Sequence, residues 1–175
     1  MKLLFENWRK YLTEQEGDDM ILYHVSSTPD IEVLDPAVAG KNLKNYSTAE
    51  YRAWDRPRVF YFTRLGQEDL GVGRMVGEHT YWTTVDRDKI YPIMDDPLKL
   101  SHRVDEYKEI REQEQGTPKY YPAKPYDVVA TLGEREHGIE GFIYPQSGDP
   151  NNMIVALWVP KRVERLDEPF YKEAI

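Results

Sequence analysis

The 175-residue chain contains no cysteine. That excludes disulfides, thiolate nucleophiles and cysteine-bound zinc or iron–sulfur centres. No apolar run approaches the roughly 20 residues a helix needs to cross a bilayer, so a soluble protein is expected. Positive charge is in deficit: 23 Lys and Arg stand against 31 Asp and Glu, a formal net charge of −8. Phosphate backbones and anionic membranes select clustered Lys and Arg, so neither nucleic acid nor a membrane is the expected partner. Metal motifs are also missing. His24, His79, His102 and His137 are scattered, and no two of them stand at the helical i, i+4 spacing that pairs zinc ligands; no metal is expected. There is no phosphate-binding P-loop and no G-x-S-x-G elbow. Gly71, Gly73 and Gly77 miss the dinucleotide fingerprint by one residue.

What is present is enough for one core. Hydrophobic residues make up 40% of the chain, including 13 Tyr, 4 Trp and 5 Phe, which at this length supports a single domain. Residues 1–14 read as an amphipathic helix, with Leu3, Leu4, Phe5, Trp8, Tyr11 and Leu12 at helical spacing. Residues 15–19 read as an acidic linker, and the domain follows over 20–175. Strands are predicted over 20–25, 58–63, 80–85, 90–94, 139–144 and 153–159, with a last edge strand over 161–166. Ser47 and Glu50 form a capping box for a short helix over 48–54. Further helices are predicted over 103–115, strongly charged, and 126–137, closed by Gly138. The stretch 145–152 (PQSGDPNN) reads as a turn-rich loop. Strands outnumber helices, so the predicted class is α+β.

Three segments carry candidate chemistry. Tyr23-His24-Val25-Ser26-Ser27 ends the first domain strand, where His and Ser side chains can present hydrogen bonds to a ligand. In Phe60-Tyr61-Phe62-Thr63-Arg64, alternation puts Tyr61 and Thr63 on one face and Phe60 and Phe62 on the other. The third segment, Gly138 to Tyr144, precedes a loop and the apolar strand 153–159.

The order of these pieces resembles the ADP-ribosyltransferase fold family, including its small phage-encoded members. The matching features are the Tyr-His-x-Ser strand end, Ile31, Leu34 and Pro36 after it, the Val59 to Thr63 strand, the Gly138 to Ile143 strand, and Met153 to Pro160. The resemblance covers about residues 20–166. It implies two small packed, mostly antiparallel sheets forming a cleft for NAD+, used as substrate, with no metal. It further implies that His24 binds the adenosine-side ribose, with Ser26 beside it. Tyr61 would pack on the nicotinamide, Thr63 would meet the ribose, and Arg64 or Arg58 would meet the diphosphate. A carboxylate would oppose the positive charge that develops as the nicotinamide–ribose bond breaks. The family places that acid at the start of the last core strand, where this chain has Asn151-Asn152-Met153. Asp149 is the nearest acid, Asn152 can orient a hydroxyl without supplying charge, and Glu140 lies farther back.

Residues 1–14, ending Leu12-Thr13-Glu14, resemble the capsid-targeting peptides of T4-like phages. The implied setting is the virion interior or the host cytoplasm, and the implied partner is a host protein or defence component. Two alternatives stand beside this reading. One is a non-catalytic binding or inhibitor protein on the same scaffold, with the acidic helix Asp105 to Glu114 as its contact face. The other is an unrelated small α+β structural protein of the virion.

Overall fold

The computed structural model describes residues 19–38, 57–65, 77–115, 124–146 and 148–166. Its strands are β1 (Asp19–Ser26), β2 (Val33–Leu34), β3 (Val59–Phe62), β4 (His79–Asp86), β5 (Ile90–Pro92), β6 (Gly141–Gln146), β7 (Asp149–Leu157), β8 (Lys161–Arg162) and β9 (Glu164–Arg165). Between β5 and β6 run the helices α1 (Val104–Gln115) and α2 (Pro125–His137). The class is α+β. The predicted helices over 1–14 and 48–54 lie outside the described residues.

Seven strands form one sheet in the order β5-β6-β7-β3-β1-β4-β9, and β2 and β8 form a separate two-stranded ribbon. Only β5 and β6 run parallel; the other neighbours are antiparallel. The seven-stranded sheet replaces the two packed sheets the resemblance implied. Within it, β1 joins β4 along its whole length, from Asp19↔Asp86 to Ser26↔His79. By contrast β1 joins β3 through the single pair Tyr23↔Phe62.

Alternation along the strands sorts the core into two layers. Met20, Leu22, Tyr61, Tyr81, Ile143, Val155 and Leu157 share one face and pack with Leu34 and Val163. The opposite face presents Phe142, Ala156 and Trp158 to Val128, Val129 and Leu132 of α2. The apolar run 153–159 is therefore covered on both sides, as its composition predicts. Helix α2 starts with Pro125 in its first turn and ends at Gly138. The φ of 65° at Gly138 lets its N–H reach the Glu134 carbonyl, a left-handed cap that suits glycine. Helix α1 is mostly solvated. Arg103 pairs with Glu106 and, at 2.7 Å, with Glu136, so the start of α1 is tied to the end of α2.

Two sequence expectations change. Most of the predicted loop over 145–152 is strand: β6 reaches Gln146, β7 starts at Asp149, and Gln146 pairs with Asp149. Gly148, with φ of 81°, supplies the positive φ that such a tight connection needs. The polar residues there belong to strands that extend past the core. The single edge strand predicted over 161–166 divides into β8 and β9, because buried Val163 turns inward between them.

Strand β5 ends the sheet, yet its outer side offers little to another strand. The Ile90 N–H is taken by the Arg87 carbonyl, and Pro92 has no N–H. The Pro92 carbonyl accepts from the N–H groups of Asp95 and Asp96 at 3.1 and 3.0 Å. Local turns thus use up the groups that would recruit a foreign strand.

Candidate functional site

The even-numbered residues of β1 put His24 and Ser26 on the face of Met20 and Leu22. At Tyr23↔Phe62 the β1–β3 ladder stops. One residue further, the His24 imidazole replaces it: Nδ1 lies 2.8 Å from the Phe60 carbonyl. A carbonyl only accepts, so Nδ1 carries the proton and Nε2 is left as an acceptor. Burial lowers the His24 pKa below 6.5, against a smaller opposing effect of the Phe60 bond. The neutral ring is thus the folded form near pH 7.

This has a measurable consequence. The unfolded chain binds a proton at His24 more tightly than the folded one, so folding is favoured fully above pH 6.5 and progressively less below it. The melting temperature is expected to fall between pH 6.5 and 5, before carboxylates titrate, and to fall less in His24→Asn. Thermal melts of both proteins across this range check it.

Tyr61 stands next to His24, with ring centroids 5.7 Å apart and planes tilted by 58°. It is 0% exposed, and its hydroxyl is buried without a hydrogen-bond partner. Burial pushes its phenol well above the usual range. The ring is a core element in this structure. An orphaned buried hydroxyl costs roughly 1–3 kcal/mol. Tyr61→Phe is therefore expected to raise stability by about 1 kcal/mol in urea denaturation.

Ser26 ends β1 opposite His79 of β4. Its Oγ accepts from the Thr28 N–H at 3.1 Å, turning the chain. Tyr81, opposite His24, donates its hydroxyl to the Thr28 carbonyl at 2.9 Å and holds the same loop. The Nδ1 of His79 is buried with no partner. His79 carried no signal in the sequence: only the β1–β4 register, which no local motif sets, brings it beside Ser26.

The remaining expected residues gather elsewhere. Thr63 is 4% exposed and donates to the Met153 carbonyl at 3.3 Å. Exposed Arg64 donates to the Asn151 carbonyl at 3.3 Å. Asp149 accepts from the Asn151 N–H at 2.9 Å, from Asn151 Nδ2 at 3.2 Å and from Asn152 Nδ2 at 2.6 Å. The Asn151 N–H, the two side-chain amides and Arg64 hold the Asp149 carboxyl below its ordinary pKa, against some desolvation. Tyr61 pairs with Val155, and Asn152 lies three residues further along β7, roughly 10 Å away. It also sits on the opposite face from buried Met153. The structure therefore unites His24, Ser26 and Tyr61 and keeps Asp149 and Asn152 apart from them. Glu140 is engaged by Lys89 at 2.7 Å and Lys161 at 2.6 Å.

Arg58 lies in the core. It is 3% exposed and pairs with Asp127 of α2 at 3.1 Å, with its guanidinium 5.4 Å from the centre of the Phe142 ring. Among the described residues no group of three or more acidic or histidine side chains is placed to hold a metal ion, and no helix is long and apolar enough to cross a membrane. Comparison with protein families, with curated proteins and with solved structures returned no match. The functional reading rests on the geometry of β1, β3 and β4.

Proposed function

We propose that the protein is an ADP-ribosyltransferase-like protein that binds NAD+ at the His24 end of β1 and modifies a host protein, with the virion interior or host cytoplasm as its setting. One observation carries the reading. Where β1 and β3 part, a neutral histidine replaces the ladder, fixed through Nδ1, so that Nε2 is free to accept from a ribose hydroxyl. In the reaction, the bond from ribose C1′ to the nicotinamide nitrogen breaks and a nucleophile of the target protein bonds to C1′. The nicotinamide leaves neutral, and the nucleophile's proton passes to solvent.

A second reading is favoured by the carboxylate. Asp149 is held by Asn151 and Asn152 at the β6–β7 hairpin, away from His24, so the scaffold can bind NAD+ without breaking it. Labelled NAD+ with host lysate separates the two. Label transfer to a host protein, lost in His24→Ala, supports the transferase. Calorimetric binding of NAD+ without transfer supports the binder. Absence of NAD+ binding to the folded protein overturns both.

A further inference from the structure

We propose that His79 is a second ligand-contacting imidazole of this site, and that together with Ser26 and His24 it receives the hydroxyls of a sugar. The sugar is identified with the ribose of NAD+ on the reading above. The placement comes from register. His24 pairs with Tyr81 and Ser26 with His79, so His24, Ser26, Tyr81 and His79 all face the same way. His79 is the diagonal neighbour of His24 across the ladder, at a spacing of roughly 7–8 Å.

Two observations point to a ligand. First, the Nδ1 of partly exposed His79 is buried and has no hydrogen-bond partner, and a buried polar atom in that state is costly unless something supplies the bond. Second, the chain is shaped around this end of β1. A Cβ on Gly77 would lie 2.1 Å from the Ser26 carbonyl carbon and 2.5 Å from the Ser27 nitrogen. The segment leading into His79 is thus pressed against the backbone of Ser26 and Ser27, which fixes where His79 enters. The chemistry selects the ligand class. The groups on β1 and β4 are two imidazoles and the Ser26 hydroxyl, which suit neutral hydroxyls better than a phosphate; Arg165 of β9, opposite Tyr81 on the same face, lies 3.7 Å from the Asp30 carboxylate.

The test follows the imidazole proton and nitrogen resonances of His24 and His79 while NAD+, and separately D-ribose at high concentration, are added to the full chain. Both histidines are expected to move with NAD+, and His79 with ribose. In parallel, His79→Asn, whose amide reaches the position of Nδ1, is expected to keep NAD+ affinity within about threefold. His79→Phe is expected to lose about tenfold. Melting curves confirm that each variant is folded. His24 moving with NAD+ while His79 stays still overturns this inference and leaves the NAD+ reading intact. His79 moving with ribose, and neither histidine moving with NAD+, keeps the sugar site and overturns the NAD+ reading. No movement of either histidine with either probe overturns both.

Discussion

Asp127→Ala is expected to destabilise the protein by about 3–5 kcal/mol, since it breaks a buried ion pair. Arg58 and Asp127 have side-chain exposures of 3% and 4%, and their contact at 3.1 Å joins α2 to the start of β3. Burial alone pulls the Arg58 pKa down, and the Asp127 carboxylate opposes it. Arginine does not shed its proton in a protein, so loss of the aspartate removes the carboxylate beside a buried cation that lies over the Phe142 and Tyr126 rings. The pair need not be a net source of stability, because two desolvated ions can be matched by apolar groups of similar volume. The double variant Arg58→Met, Asp127→Leu is accordingly expected to recover most of the loss. Urea denaturation of wild type, single and double variants measures this. A small effect in Asp127→Ala would mean that water reaches Arg58.

Gly77→Ala is expected to show the second-largest effect, roughly 1–3 kcal/mol from overpacking, together with loss of ligand binding. The new methyl would meet backbone atoms: the Ser26 carbonyl carbon at 2.1 Å and its oxygen at 2.3 Å. Backbone cannot rotate away as a side chain can, so either the 77–79 segment or the end of β1 must shift. Both carry site residues. Gly141→Ala provides the comparison. Its methyl would meet Leu157 Cδ2 at 2.4 Å and the Ala156 oxygen at 2.6 Å, far from His24 along the sheet. It is expected to lower stability while sparing NAD+ affinity in the fraction that remains folded. Melting and calorimetric titration of the two alanine variants distinguish the outcomes.

Much of the fold was legible because its elements are locally determined. The alternation in Met20 to Val25, the dense run Met153 to Val159, and the Pro125 and Gly138 boundaries of α2 each follow from side-chain period or cap chemistry within the segment itself. The hairpin at Gly148 was missed because its strands are polar: Asp149, Asn151 and Asn152 extend past the core, so burial leaves no pattern there. Pairing was not legible at all. Nothing within residues 58–63 says that Arg58 finds Asp127, 69 positions away, and a run that reads as buried strand can carry a buried cation only if such a partner exists. The same limit applies to the site. His24, Ser26 and Tyr61 were singled out from two segments, and β1 and β3 do lie side by side. His79 required the β1–β4 register. Asp149 looked close in sequence order to the expected acid position, but its carboxylate is occupied by neighbouring asparagines.

The single pair Tyr23↔Phe62 has a consequence for how the molecule opens. On one side of it β3–β7 and β6–β7 are each bound by four pairs or more and β5–β6 by three, and β1–β4 on the other side runs the length of both strands. Amide hydrogen exchange should therefore sort the sheet into two protected blocks divided at this seam, with cooperative opening of one block possible while the other persists. The His24–Phe60 hydrogen bond at 2.8 Å crosses the same seam, so His24→Ala should make the two blocks open more independently of each other.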